Sequence, residues 1–342
     1  MIDRLPDAPP LGTPPHAPVL RLGSPASAGE LIQRIRDSTD RLEADCLDAG
    51  DLKILSRSIR ELRRAFNVFA PYRGCRKATV FGSARTPPAD PAYVLAVELG
   101  RRLAEAGWMV ITGAGGGIMQ AGHEGAGREA SLGLNILLPF EQSANPVIAG
   151  DPKLVSMKYF FTRKLMFVKE CDGVVSLPGG FGTLDEAMEV LTLVQTGKRE
   201  LLPMVMLDAP GQGYWQDWLA FIERHLHRTG LISPPDLSLF RVTSSVDEAV
   251  DELLGFYRVY HSMRYVGQRL VLRLNRRISE QTLARLNDAF TDILVSGAIE
   301  QTDRLAEEAD ENGAAKLPRL VLHFDRKNHG RLRELVNVVN AE

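Results

Sequence analysis

The residues best suited to chemistry lie in Pro178-Gly-Gly-Phe-Gly-Thr-Leu-Asp-Glu186. Three glycines fall within four positions (Gly179, Gly180 and Gly182), with a hydroxyl at Thr183 and a carboxylate at Glu186 close behind. The apolar run ahead, bounded by Asp172 and Pro178, reads as a buried strand, and a helical pattern opens at Thr183. Strand, glycine loop and helix together make an anion site. Glycines let backbone amides approach a ligand, and a helix start contributes about half a positive charge. The same residues also fit a plain strand-to-helix turn in which Thr183 and Glu186 close a capping box, making Glu186 structural. Spacing alone leaves both readings open.

Two further stretches bear on the choice. Gly113-Ala-Gly-Gly-Gly117 is a second glycine-rich loop, but position 118 is Ile, so the Gly-x-Gly-x-x-Gly spacing of a dinucleotide site fails. Neither loop continues into Gly-Lys-Ser/Thr, which disfavours triphosphate chemistry. Two glycine loops on one edge suit a mononucleotide, one end to each. In Phe160-Phe-Thr-Arg-Lys164, Arg163 and Lys164 fall in a helix's first turn, where the macrodipole disfavours cations. Either an anionic ligand or a nearby carboxylate must compensate them.

The elements that position these residues alternate regularly. Strands are expected at 78–81, 108–112, 134–138, 154–157, from Gly173, at 203–207 and at 240–243. Helices are expected at 91–106, after Gly117 to about 130, at 161–170, from Thr183, at 215–227 and at 246–260. This is an α/β pattern: a Rossmann-like, doubly wound parallel sheet with helices on both faces. Right-handed crossovers bring every glycine loop to one sheet edge. A ten-residue helix descends roughly 15 Å and the strand from Gly173 climbs back about 16 Å, so Arg163 returns to the edge that holds Gly179 and Glu186.

Around this core, 1–26 is proline-rich and reads as a flexible arm, and 27–75 as helices at 27–49 and from Asp51. Arg57, Arg60, Arg63 and Arg64 on the second helix read as its solvated face. The α/β domain spans 76–262. Residues 263–342 form a small α+β module of β-α-β-β-α type, with strands at 268–274, 298–302 and 317–324 and helices at 279–295 and 329–339. No metal site is expected there or elsewhere.

Composition bounds the partners. The 342 residues carry a formal net charge of −2, which gives no reason to expect a nucleic-acid polymer or an anionic membrane. Cys46, Cys75 and Cys171 lack metal-ligand spacing and read as buried thiols of a reducing compartment. With no signal-type or membrane-spanning run, a cytoplasmic location is expected.

Pro178-Gly-Gly-Phe-Gly-Thr-Leu-Asp-Glu186 closely resembles the Pro-Gly-Gly-x-Gly-Thr-x-x-Glu motif of the LOG family, and Arg163-Lys164 its upstream Arg-Lys pair. These are nucleoside 5′-monophosphate phosphoribohydrolases, long mislabelled as lysine decarboxylases; the resemblance covers about residues 76 to 260. It implies Arg163 and Glu186 as the catalytic pair. It also implies a nucleotide pocket of Gly82, Ser83, Gly115, Gly116, Gly117, Lys164, Pro178, Gly179, Gly180, Gly182 and Thr183. The implied enzyme is a homodimer or higher homo-oligomer that needs no cofactor and cleaves an AMP-type or cytokinin riboside monophosphate. The family's usual Met-His before Arg-Lys is absent here, which leaves the base preference open. The alternative is a non-catalytic nucleotide or molybdenum-cofactor carrier, as related glycine-loop proteins are; a carrier gains nothing from Glu186. No lysine has a pyridoxal-phosphate context, so a decarboxylase is not expected.

Overall fold

A computed structural model describes residues 27–138, 143–308 and 314–342, so the proline-rich arm lies outside the described residues. The chain forms two compact units, one up to Lys53 and one from Ile54. In the first, α1 (Ala28–Arg41) is closed by a Ser27–Glu30 capping box, and none of its residues is buried. It stops at Arg41, earlier than the expected 49, and α2 (Ala49–Phe69) begins after a turn.

The second unit carries the α/β core. In chain order it runs β1 (Lys77–Phe81), α3 (Pro91–Glu105), β2 (Met109–Thr112), α4 (Ile118–Ala126), β3 (Ser131–Ile136), β4 (Leu154–Met157) and α5 (Phe160–Glu170). It continues through β5 (Gly173–Ser176), α6 (Phe181–Gln195), β6 (Met204–Leu207), α7 (Tyr214–Ile222), β7 (Arg241–Thr243) and α8 (Val246–Gly255). The seven strands are all parallel, in the order β4-β3-β2-β1-β5-β6-β7. Strand order reverses between β1 and β5, and in open α/β sheets the ligand crevice lies beyond the strand ends at that switch point.

Alternation along the strands splits the core in two. Ala78, Val80, Val110, Val175, Val205 and Leu207 pack with α3, α4 and α8. Phe81, Ile111, Leu134, Val174, Met204 and Met206 pack with α5, α6 and the end of α2. Both faces are therefore covered, as near-continuous apolar strands require.

The C-terminal part holds β8 (Tyr260–Val266), β9 (Arg269–Leu274), α9 (Glu280–Ala289), β10 (Leu294–Thr302), β11 (Arg319–Phe324) and α10 (His329–Asn340). Its sheet is antiparallel, in the order β10-β11-β9-β8. It differs from the expected module by one strand. Residues 260–266, assigned to the end of a helix and the segment after it, form β8 instead; α8 ends at Gly255, and Gly267, with φ near 61°, turns β8 into β9. The expected helix at 279–295 ends at Ala289, because β10 starts at Leu294. Leu270, Leu320 and Leu335 join the same apolar cluster as Met166 and Phe167 of α5. Cys171 is buried as expected; Cys46 and Cys75 are exposed. No helix among the described residues is long and apolar enough to cross a membrane.

Candidate active site

A cavity of about 730 Å³ opens at the β1/β5 switch point. Gly82 and Ser83 line it from the loop after β1, Gly179 and Gly180 from the loop after β5, Gly182, Thr183 and Glu186 from α6, and Arg163 from α5. The backbone joins the two loops: Ser83 N donates to Pro178 O (3.1 Å), and Leu177 N to Phe81 O (2.9 Å). The Tyr214 hydroxyl fixes the far side of the second loop by donating to Gly179 O (2.7 Å).

The start of α6 is open. Its N-cap is Gly180, no side chain caps it, and the helix begins at Phe181 rather than Thr183. Thr183 and Glu186 therefore lie inside the helix and do not form a capping box. The amides of Thr183 and Leu184 donate to Gly180 O, and a Cβ on Gly180 or Gly182 would meet nothing within 4 Å. This amino end keeps its partial positive charge and has room for an anion.

Glu186 is 7% exposed, and its Oε2 is buried without a hydrogen-bond partner among the described residues. Burial pushes its carboxyl up to about 7. Lys164 and Arg163 pull the value back, while Glu189 and Asp185 add to the rise. A carboxyl with that value exchanges its proton near neutral pH.

Arg163 reaches under the loops from the first turn of α5. Its Nε donates to Leu134 O (2.9 Å), and its guanidinium lies over the Phe167 ring, 5.0 Å from the centroid. It passes so close to Gly113 that a Cβ there would stand 2.3 Å from Nη2. Lys164 turns the other way and bridges to α6 through Asp185 (2.8 Å) and Glu189 (3.0 Å). Burial opposes its charge, but the two carboxylates prevail and its pKa is raised.

Gly115, Gly116, Gly117, Lys164 and Pro178 are not among the residues that line the cavity. The chain itself holds part of the loop after β2. Asn145 donates to Ala114 O (2.8 Å) and Gly115 O (3.1 Å), and Ala114 N donates to Thr112 Oγ1 (3.0 Å). Thr112 and Asn145 both bond to the buried His123, whose pKa burial lowers to about 4, so the ring stays neutral. Gly117, with φ near 59°, lets this loop close on Ser83 O, 2.3 Å from where its Cβ would be.

Sequence reasoning passed over two residues. Arg85 lines the cavity from the loop after β1; its charge and its place in a loop at the sheet edge were the available signal. Glu61, on α2, is the other. Its carboxylate accepts from Lys158 N (2.8 Å) and from Thr162 Oγ1 (2.8 Å), at the amino end of the helix that carries Arg163. Burial works against its charge, but bonds from Lys158, Arg57 and Thr162 prevail and hold its pKa low. Glu61 thus supplies an anion for the first turn of α5 from within the chain.

A Rossmann-like sheet with an uncapped glycine loop, a buried carboxyl and a guanidinium at its switch point defines an α/β protein with a candidate anion site at that crevice. Residues 116–253 match the family model described as possible lysine decarboxylase. A probable cytokinin riboside 5′-monophosphate phosphoribohydrolase of Oryza sativa subsp. japonica is 32% identical over 165 residues, 47% of this chain and 64% of its own. A cytokinin riboside 5′-monophosphate phosphoribohydrolase of Arabidopsis thaliana is 31% identical over 163 residues, 46% of this chain and 73% of its own. The solved molybdenum cofactor binding protein of Rippkaea orientalis is 20% identical, covering 52% of this chain and 94% of that one, with a TM-score of 0.36. The chain belongs to the LOG family.

Proposed function

We propose that this protein hydrolyses the N-glycosidic bond of a nucleoside 5′-monophosphate, of the AMP or cytokinin riboside monophosphate type. The products are free base and ribose 5-phosphate. One observation carries the proposal: an unpaired buried carboxyl oxygen on Glu186 shares a cavity with Arg163 and an uncapped helix start. The amides ahead of Thr183 hold the phosphate, and Arg85 reaches it from the opposite loop. That anchoring fixes the ribose over Glu186. As the bond from C1′ to the base nitrogen lengthens, the bonding pair leaves with the base and positive charge develops on the sugar. Ionised Glu186 stabilises that charge and takes one proton of the attacking water, and solvent supplies a proton to the departing base nitrogen. Arg163 holds Glu186 and the nucleotide in register.

The test is chromatography of AMP incubated with the protein. Release of adenine together with ribose 5-phosphate supports the proposal, whereas binding of AMP without release points to a carrier. A parallel screen of GMP, CMP, UMP and isopentenyl-AMP ranks the bases. The working form in this proposal is a cytoplasmic homodimer or higher homo-oligomer. Phe160 and Phe161 at the start of α5, and Phe181 (94% exposed) at the start of α6, offer an apolar rim that a second copy would cover. Sedimentation showing a monomer at assay concentration would remove that part.

A further inference from the structure

A second cavity, of about 570 Å³, lies against α2, away from the switch point. Arg60, Arg63, Arg64 and Asn67 line it from α2, together with Tyr72 and Lys153. None of its lining residues is acidic.

Several helix arginines elsewhere pair at this same spacing. Arg57 meets Glu61, Arg101 meets Glu98 and Glu105, and Arg331 meets Glu334. Arg60, Arg63 and Arg64 have no ion-pair or hydrogen-bond partner among the described residues, although like charges three and four residues apart repel. Lys153 is nearly buried and is already balanced by Asp151 (2.9 Å), which Arg128 also holds (2.8 Å). The surplus positive charge therefore sits on the three guanidiniums. Val68, Pro71 and Pro152 give the cavity an apolar wall.

We propose that this cavity is a second anion site, which takes a small ligand carrying a chain of phosphates. Guanidiniums on adjacent turns can grip neighbouring phosphates in bidentate fashion, which one isolated arginine cannot do. The volume suits a small molecule. A nucleic-acid polymer is the poorer fit, because the positive charge is confined to one concave face of a chain whose net charge is −2. The site does not depend on the hydrolase reading, since it shares no lining residue with the first cavity.

The experiment is calorimetric titration of sodium tripolyphosphate into the full chain, with the first cavity saturated by ribose 5-phosphate. Wild type should bind in the micromolar range, more weakly as salt rises. The R63Q/R64Q variant should bind about tenfold more weakly or worse, with an unchanged melting temperature. ATP titrated in parallel separates two sources of the same chemistry: equal affinity assigns the phosphate chain alone, and tighter ATP adds a contact to the nucleoside. Either result supports the site. No binding by wild type, or equal binding by R63Q/R64Q, overturns it. Adenine release from AMP by R63Q/R64Q is read separately, so failure of the hydrolase proposal remains distinguishable.

Discussion

The two glycine-rich loops end β2 and β5, the strands on either side of β1, yet they are built for opposite purposes. The loop after β2 is closed. Asn145 and Thr112 hold the carbonyls of Ala114 and Gly115 and the amide of Ala114, and its glycines let chain segments touch: Gly117 against Ser83 O and Gly115 against Met119. The loop after β5 is open. Gly180 and Gly182 face empty space, and the helix behind them has no capping side chain. A count of glycines does not distinguish the two. Neither following helix has a capping side chain; the difference lies in how closely the glycines pack against the rest of the chain, and that decides where an anion has room to bind.

The largest effect should come from the carboxylate behind the open loop. Glu186→Gln should lower turnover of AMP by about a thousandfold while leaving AMP binding largely intact, because the amide can neither ionise nor take a proton. Single-turnover assay and equilibrium dialysis separate the two terms, and an active variant would remove Glu186 from the chemistry. In wild type, kcat/KM should rise with pH as Glu186 ionises near 7. A bound phosphate adds negative charge nearby, so the corresponding rise in kcat should lie at higher pH than that in kcat/KM.

Paired alanine substitutions set the loops against each other directly. Gly117→Ala combines a positive φ with a collision at Ser83 O, so stability should fall by about 2 kcal/mol or more. Gly180→Ala adds a methyl group in open space on the cavity wall, so the melting temperature should hold while KM for AMP rises about tenfold. If both variants failed only in stability, the loops would not differ as described.

Much of this was legible in the sequence. Short apolar runs located β1, β2, β4, β5 and β6 to within a residue at either end, because a strand buried on both faces leaves little room for polar residues. The β/α alternation then placed Arg163 and Glu186 on one edge without coordinates. The helix expected to 260 overruns because Leu253, Phe256 and Tyr260 continue a helical spacing past the true end of α8, and nothing marks 261–266 as the rest of β8. Most of β10 is exposed and its register shifts, so it shows no clean alternation beyond the expected 298–302. The packing of the loop after β2 depends on Asn145, which no local pattern ties to Gly115. Lys164 and Arg163 are adjacent cations; which of them turns into the cavity is decided by acids on α6 that sequence spacing alone does not orient.

Glu61 offers the smallest effect and the sharpest contrast of sign. It lies 101 positions from Thr162, too far for any local motif to reveal, and it is buried as deeply as Glu186. Donors surround it, so its pKa falls; Glu186 has few, so its pKa rises. A lowered carboxyl stabilises the fold above its unfolded value, and that contribution fades as pH falls. Glu61→Gln should therefore cost about 1 kcal/mol at pH 7 and progressively less below about pH 4.5, with a few-fold loss of kcat/KM through the start of α5. For a raised carboxyl the folded state binds the extra proton, so stability is lost as pH climbs from 4.5 towards 7. Glu186→Gln should then be more stable than wild type at pH 8, by about 2 kcal/mol, and lose that advantage in acid. Denaturant melts at pH 4.5 and pH 8 read both variants. Shifts of the same sign would mean that Glu186 is a structural carboxylate like Glu61.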